Sequence, residues 1–342
     1  MLICYLGLIL KRIYLFSFIQ LLSIHSFCLE ISSSQLHPKA GIKSELVVYS
    51  VLSNKAAEPL INAFHKIYPN ISIKYDGDFG SNEINARFEE DIKSTGFSAD
   101  VMWSSAVDTQ LNYVKNGFAQ PYRPKDSDFL PDWAKHKNLA WGTTFEPVVM
   151  VFNKTVVPGN LIPQTHDEFI SLLKSHSEFL SKKVTLFDTG KSSVGMFFKS
   201  QDLKHYSKAN DLYQQLSLTG AIGSAGTGEM LKKINSAEFL FGYNIMGSYA
   251  LSRSKRDLQN LSIIYPKDYT LVLTRIAFIS KYAKNPRAAA KWIDFLISIE
   301  GQKILADEVE LNSIRSDIDS NNTSTKLSAR IGPGVTPVDI SH

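Results

Sequence analysis

Hydroxyl side chains recur where predicted strands give way to helices. Apolar runs at 45–49, 71–75 and 99–103 predict three successive strands. The hydroxyls that follow them are Ser50 and Ser53, Ser81, and Ser104 with Ser105. Backbone N–H groups at a helix start, assisted by hydroxyls, bind anions. If the three strands are parallel, their loops share one edge of a sheet, which predicts a polar ligand site there.

A second set of hydroxyls lies in the other half of the chain. Ser192 and Ser193 stand at the start of a predicted helix, with Lys191 adding positive charge. The segment 226–250 reads as helix, buried strand and polar loop, and we interpret it as one wall of a ligand cleft. Its candidate ligand residues are Thr227, Glu229, Asn244 and Ser248. A plain helix cap and ordinary turn residues give the same local pattern, so the prediction rests on the whole set.

Several charged side chains have two interpretations each. Glu229 either accepts hydroxyls of a ligand or complements a helix dipole. Asp202 and His205 fall in a predicted loop, either on the surface or reaching the cleft. Arg275 interrupts an apolar strand, and such a charge is seldom buried unpaired. It either forms a structural ion pair or helps to neutralise a ligand.

Motifs for catalysis and for tightly bound cofactors are not met. The run Gly190–Lys191–Ser192 resembles the end of a phosphate-binding loop, but the first glycine of that motif would fall at Thr185. No Ser/His/Asp order, zinc-ligand spacing or paired loop carboxylates stand out. We therefore expect a binding protein without enzymatic activity, cofactor or metal site.

Composition predicts a folded protein of two lobes. The chain has 342 residues, 44% of them hydrophobic, which is enough to form a sizeable core. Past residue 28 it holds 35 basic and 33 acidic residues, a net charge of +2, and no dense basic stripe. Nucleic-acid binding is therefore not expected. We expect a monomer.

The amino terminus predicts export. Lys11 and Arg12 precede an apolar run, and small residues follow at a peptidase-like site, so residues 1–28 read as a signal peptide. A membrane anchor and a lipid on Cys28 are the alternatives. Both cysteines, Cys4 and Cys28, lie in this segment, so the exported chain would depend on its core and not on disulfides.

The order of these features resembles a family. The motifs that carry the resemblance are ELVVYS, ADVMWSS, PVVMVFNK, NSAEFLFGYNIMGSYA and the block from Tyr265 to Gln302. Together they resemble the periplasmic solute-binding proteins of ATP-driven importers, most of all the branch with ferric-iron-binding and organophosphate-binding members. The resemblance implies an α/β fold of type II, with two lobes, two hinge strands and a ligand clamped between the lobes.

On this resemblance the chain divides into parts. Lobe 1 would comprise 45–147 and 280–315, and lobe 2 would comprise 155–269. Strands 148–154 and 270–279 would cross between them, and 316–342 would form a loosely packed polar tail. The protein would work in the periplasm and deliver a small anionic ligand to an inner-membrane permease and its ATPase.

The resemblance also bears on the ligand. Iron-binding members use a His, a Glu and a Tyr pair at places where this chain has Ser53, Ser105 and roughly Gly247 with Ser248. A ferric ion would lose its anionic ligands there. The serine-rich helix start and the position of Thr227 are kept, which favours a sugar phosphate, phosphoglycerate or phosphonate. The alternatives are a ferric-iron transporter component and a sensor subunit of an organophosphate-responsive two-component system.

Overall fold

The computed structural model describes residues 34–36, 44–190 and 192–342. The predicted signal peptide, Cys28 and Lys191 lie outside these ranges. Among the described residues, no helix combines the length and apolar character that a membrane crossing requires.

Fourteen strands are present in the described ranges: β1 (Ser34–Leu36), β2 (Ser44–Ser50), β3 (Ile71–Asp76), β4 (Val101–Ser104), β5 (Lys135–His136), β6 (Ala140–Gly142), β7 (Glu146–Asn153), β8 (Val184–Phe187), β9 (Ile222–Ser224), β10 (Phe241–Met246), β11 (Leu261–Ile264), β12 (Thr270–Leu273), β13 (Ile276–Ile279) and β14 (Val335–Pro337). They form two sheets. One contains the order β3-β2-β4-β13-β6-β5, and the other has the order β14-β12-β7-β10-β8-β9, with β11 also paired to β7.

Eleven helices in the described ranges cover the sheets: α1 (Asn54–Ile67), α2 (Ser81–Thr95), α3 (Val107–Lys115), α4 (His166–Ser175), α5 (Ser193–His205), α6 (Ala209–Leu218), α7 (Thr227–Asn235), α8 (Gly247–Arg256), α9 (Pro286–Ile297), α10 (Ile299–Asp307) and α11 (Ser324–Ile331). Short 3-10 turns lie at Ser127–Phe129, Asp132–Ala134 and Gly159–Leu161.

The three strands that precede the serine loops are parallel, which meets the condition on which the prediction of a shared edge depended. Strand β2 pairs in parallel with β3 and with β4, with Val48 opposite both Tyr75 and Val101. The predicted strands at 45–49, 71–75 and 99–103 are thereby confirmed. Because all three run the same way, their carboxyl ends and the loops that follow lie along one edge.

Helices α1 and α9 pack on this sheet through their apolar stripes. In α1 the residues at helical spacing, from Ala57 to Phe64, are buried, while Ile67 is 43% exposed. Phe64 meets Trp292 of α9 edge to face, with ring centroids 5.1 Å apart. Aromatic pairs of this kind add to the stability that burial alone supplies.

The chain passes between the sheets three times: twice through short passages, and once more by the long helical segment between β13 and β14. The first passage, residues 143–145, lies between β6 and β7, and the second, Thr274 and Arg275, lies between β12 and β13. The predicted strand 270–279 is therefore two strands in different sheets. Strand β7, predicted as a crossing strand, is a fully buried strand of the second sheet.

Hydrogen bonds tie the two short passages together. Thr143 Oγ1 donates to the carbonyl of Arg275 at 2.9 Å, and the N–H of Arg275 donates to Thr144 Oγ1 at 2.8 Å. Trp103 of β4 donates from Nε1 to Thr143 at 2.9 Å. Both passages are buried and lie outside the strand ladders. The threonine hydroxyls therefore supply hydrogen-bond partners that their backbone groups would otherwise lack.

The prediction of a loosely packed tail at 316–342 is wrong. This segment forms α11 and β14, and β14 pairs in parallel with β12. Leu327, Ile331, Val338 and Ile340 are buried, and the Ile340 carbonyl lies 2.7 Å from His136 Nδ1. A few apolar residues among polar ones are enough to hold this segment in place, because each of them packs against the core of the protein.

Two further predictions of local structure are corrected. The polar loop expected around Gly247 and Ser248 is the first turn of α8. Asp202 and His205, expected in a loop, belong to the last turns of α5, where Asp202 is buried. In both places polar residues that favour loops are held in a helix by their tertiary contacts.

Candidate functional site

A cleft of about 790 Å³ opens between the edges of the two sheets. Its lining comes from the starts of three helices and from strand ends: Gly80 to Glu83, Ser105 to Thr109, Phe187 and Asp188, Ser192 to Val194, Phe197 and Phe198, Gly223 to Ala225, Met246 and Leu273. Residues from both sheets therefore face one space. This is the arrangement expected of a ligand site in an α/β protein.

The first sheet brings two helix starts to the cleft. The loop after β3 ends at Gly80, the N-cap of α2, and Ser81 is the first helical residue. The loop after β4 contains Ser105, next to Ala106, the N-cap of α3. Because β3 and β4 are parallel, both helices point their N-termini, with their unpaired N–H groups, toward the same edge.

The second sheet brings a third helix start. Ser192 is the N-cap of α5, and its Oγ accepts from the Gly195 N–H at 3.3 Å. A side chain at Gly195 would place its Cβ 2.7 Å from the Asp188 carbonyl, so glycine allows α5 to lie directly on the end of β8. Ser193 follows as an exposed residue at the cleft.

Charged groups in the lining are acidic. Glu83, Asp108 and Asp188 line the cleft, whereas none of the described lining residues is Lys, Arg or His. Glu83 accepts from the Gly80 N–H and Asp188 accepts from the Gly190 N–H, both at 2.9 Å. Within the described ranges no three His, Cys, Asp or Glu side chains are grouped as a metal site would need.

Four of the predicted ligand residues lie together in this cleft: Ser81, Ser105, Ser192 and Ser193. The other serines predicted as ligand residues in the loops of the first sheet form hydrogen bonds within their own loops. Ser50 Oγ accepts from the Leu52 N–H at 3.1 Å, and Ser104 Oγ accepts from the Ala106 N–H at 3.2 Å. Ser53 is the N-cap of α1 and accepts from the Ala56 N–H. These bonds shape the loops that carry the cleft.

The segment 226–250 contributes Met246 to the lining, and Gly223 to Ala225 just before it contribute more. Thr227 is the first residue of α7, one place after the N-cap. Glu229 forms an ion pair with Lys233, with atoms 3.1 Å apart, as expected for an i, i+4 pair.

Asn244 and Ser248, also predicted as ligand residues, bind buried carboxylates. Asn244 has a left-handed φ of 56° at an irregularity in β10, and its Nδ2 donates to Asp202 Oδ2 at 2.8 Å. Ser248 Oγ donates to Glu146 Oε2 at 2.7 Å. Asparagine tolerates this φ better than most residues, and the bond to Asp202 holds it there.

Asp202 joins the far end of α5 to the second sheet. The hydroxyls of Tyr213 and Tyr243 donate to its Oδ2 at 2.8 and 3.0 Å. Burial raises the pKa of Asp202, although these donors lower it. The same helix has Ser192 and Ser193 at its other end, so this cluster anchors α5 at the end away from the cleft.

Apolar cleft residues were not singled out by the sequence. Phe187, Phe197, Met246 and Leu273 line the cleft beside the polar groups. From the sequence alone they would be interpreted as core residues, because most apolar side chains at a strand end or on a helix face belong to the core. The sequence signal that could have identified them as cleft residues is their position next to the predicted serine loops.

The chain matches a family model described as bacterial extracellular solute-binding protein over residues 98–323. It belongs to this family. The substrate-binding protein of the ABC transporter from Agrobacterium tumefaciens is 30% identical, with a TM-score of 0.79 over 87% of this chain and 88% of that chain. No curated protein matches the chain.

More distant solute-binding proteins share the fold. The apo ferric ion-binding protein A of Pasteurella haemolytica is 18% identical, with a TM-score of 0.67 over 83% of this chain and 88% of that chain. The periplasmic binding protein AfuA of Actinobacillus pleuropneumoniae, with fructose-6-phosphate bound, is 17% identical, with a TM-score of 0.66 over 86% and 89%. The two lobes predicted from the motifs are thereby confirmed as the type II binding-protein fold.

Proposed function

We propose that this solute-binding protein captures a small phosphorylated or phosphonate-bearing metabolite in the periplasm and delivers it to an ABC permease. The observation that carries the proposal is the convergence of three helix starts on one cleft. Ser81, Ser105 and Ser193 stand at these starts, and Ser192 caps the third. Each start offers unpaired N–H groups and the positive end of a helix dipole.

Neutral donors of this kind suit a phosphoryl group. A phosphate dianion has several acceptor oxygens, and backbone N–H groups and serine hydroxyls bind them by charge-assisted hydrogen bonds. Such donors can surround the group from both lobes without the desolvation cost of burying several cations. The two walls of the cleft would then hold the ligand between them.

The acidic side chains in the lining suit the rest of the ligand. Glu83, Asp108 and Asp188 face the same cleft, and carboxylates accept hydrogen bonds from hydroxyl groups. They would repel a phosphoryl group placed beside them. Glu83 and Asp108 lie in the first turns of α2 and α3, so the ligand would keep its phosphoryl oxygens on the N–H and serine donors and place hydroxyl groups against the carboxylates. This favours a phosphorylated sugar or polyol.

Proteins of this fold bind different solutes, so the choice of solute depends on the residues that line the cleft. The Agrobacterium relative belongs to an ABC transporter, the Actinobacillus protein holds fructose-6-phosphate, and the Pasteurella protein is a ferric ion-binding protein. At the places where iron-binding relatives are expected to have His, Glu and paired Tyr, this chain has Ser53, Ser105 and Gly247 with Ser248. The hydroxyl lining supports a phosphorylated ligand.

A thermal-shift panel tests the proposal. The full chain is expressed for export, purified, and unfolded and refolded to remove bound solute. The probes are fructose 6-phosphate, glycerol 3-phosphate, 3-phosphoglycerate, methylphosphonate, inorganic phosphate and ferric citrate. A ligand at about 100 times its Kd adds about 2.7 kcal/mol and raises Tm by several degrees.

We expect one class of phosphorylated probe to raise Tm and ferric citrate to leave it unchanged. A shift with ferric citrate alone would assign the protein to iron transport. No shift with any phosphorylated probe would overturn the proposed ligand class.

A further inference from the structure

We propose that Arg275, at the passage between the two sheets, is a ligand-binding residue that donates from its guanidinium to the anionic group of the solute. This inference rests on the proposed function. It adds a directional donor to a cleft whose described lining contains no Lys, Arg or His.

Arg275 is close in the chain and in the sheet to residues of the cleft, although it is not itself one of the lining residues. Leu273, two positions earlier, lines the cleft. Ile276, the next residue, pairs with Ser104, so Arg275 stands beside Ser105 across the β4–β13 ladder. The N–H of Arg275 is bonded to Thr144, which fixes its backbone at the junction.

The guanidinium is buried but incompletely used. Arg275 is 8% exposed, and its one ionic partner among the described residues is Glu146, with Nε and Oε1 3.0 Å apart. Nε and Nη1 are both buried, and neither has a hydrogen-bond partner in the described part of the chain, so the contact with Glu146 is an ion pair only. Arginine carries five N–H donors, and a buried donor without a partner is unfavourable.

Both carboxylate oxygens of Glu146 accept hydrogen bonds from hydroxyl groups of the protein. Its Oε1 accepts from Thr144 Oγ1 at 2.8 Å and its Oε2 accepts from Ser248 Oγ at 2.7 Å. Glu146 therefore pairs with Arg275 through Nε, and no hydrogen bond within the described residues engages Nη1. The planar fork of a guanidinium matches two oxygens of a phosphate or phosphonate.

The charge of Arg275 extends toward the first sheet. Burial raises the pKa of the Tyr75 hydroxyl, and the positive charge of Arg275 opposes that rise. Tyr75 lies at the carboxyl end of β3, whose following loop leads to Ser81. Through Glu146, Arg275 is also linked to Ser248 at the start of α8.

The test compares variants that separate ion pairing from anion binding. Arg275→Lys keeps the charge beside Glu146 but loses the fork. The double variant Glu146→Gln with Arg275→Gln removes both charges together, so neither is left buried alone. Arg315→Lys is the control, because Arg315 is a buried arginine already bonded to Asp126 and Asp317.

Affinities are measured by calorimetry for the five phosphorus-containing probes of the thermal-shift panel, with circular dichroism as the check of folding. The arginine side-chain ¹⁵N–¹H signals are followed in parallel. We expect the best probe to bind about 10- to 100-fold more weakly to both Arg275 variants and within about twofold of the parent affinity to Arg315→Lys. One arginine signal should move on adding the probe and be missing in Arg275→Lys.

Equal affinity of the parent protein and folded Arg275→Lys, with no arginine signal moving, would overturn the role of Arg275 and leave the proposed function intact. Absence of binding by the parent protein to all five probes would overturn both.

Discussion

The hydroxyl of Ser248 donates to the buried carboxylate of Glu146 across 2.7 Å, joining the first turn of α8 to the start of β7. Glu146 is completely buried and carries the ion pair with Arg275. The hydrogen bond therefore lies at the junction between the two sheets. It gives the Ser248 hydroxyl a partner within the protein.

Replacing Ser248 with alanine should lower the free energy of unfolding by about 1 to 2 kcal/mol, because one oxygen of a buried carboxylate loses a donor. Solute affinity should stay within about twofold of the parent value. Urea denaturation and calorimetry measure the two effects, and Ser181→Ala, at an exposed serine, serves as the control. Loss of affinity without loss of stability would restore Ser248 as a ligand contact.

A bulky residue at Ser193 should block the cleft without unfolding the protein. Ser193 is exposed at the start of α5, so Ser193→Phe adds volume where the ligand lies and not in the core. We expect affinity to fall at least about 100-fold, since both a donor and space are lost. Ser200→Phe, at an exposed position of the same helix, is the matched control. Equal affinities of the two variants would contradict the role of this helix start.

Asp202 should make stability depend on pH. Burial raises its pKa in the folded protein above the ordinary value of about 3.9. The folded state therefore favours the protonated form, and this contribution to stability is complete below pH ~4 and is lost as the pH rises through the raised pKa. Asp202→Asn lacks this titration.

Urea unfolding of the parent protein and Asp202→Asn from pH ~4 to pH ~8 measures the effect. The stability of the parent relative to this variant should decrease with rising pH, and parallel curves or a relative gain by the parent would contradict the raised pKa. Asp211→Asn is the control. Because the hydrogen bond from Lys174 lowers the pKa of Asp211, the stability of the parent relative to Asp211→Asn should not decrease as the pH rises.

The carboxyl-terminal segment should be essential for stability. Deleting residues 324–342 removes α11 and β14 and exposes the surfaces that Leu327, Ile331 and Ile340 cover. We expect a loss of more than about 3 kcal/mol, or an insoluble product. Deleting Ser341 and His342 alone should have little effect, and thermal unfolding compares the two. Equal Tm values would contradict the packing of this segment.

The sequence predicts well where local pattern and tertiary structure agree. The apolar runs at 45–49, 71–75 and 99–103 each become a strand, because nothing competes with burial there. Ser192 as the start of α5 is likewise local, since an N-cap depends on its own next turn.

The sequence fails where distant contacts decide. Gly247 reads as a loop residue, yet it opens α8, where a Cβ would lie 2.7 Å from the Pro147 carbonyl. The break at Thr274 and Arg275 lies within a continuous apolar run and is set by bonds to Thr143 and Thr144. Neither contact is visible in the residues nearby.

The site was only partly predictable for the same reason. Strand ends mark Ser81 and Ser105 as cleft residues, but the sequence does not reveal that Ser50 and Ser104 turn their hydroxyls to their own loops. It also cannot tell Asn244, bound to buried Asp202, from a ligand contact.

Titration calorimetry on the refolded protein tests the central claim most directly. The phosphorylated probe that gives the largest thermal shift is compared with its parent compound lacking the phosphoryl group. We expect that removing this group weakens binding at least about 1,000-fold, because the helix starts and hydroxyls lose the oxygens they bind. Equal affinity for the two compounds would contradict the assignment of the three helix starts as the anion site.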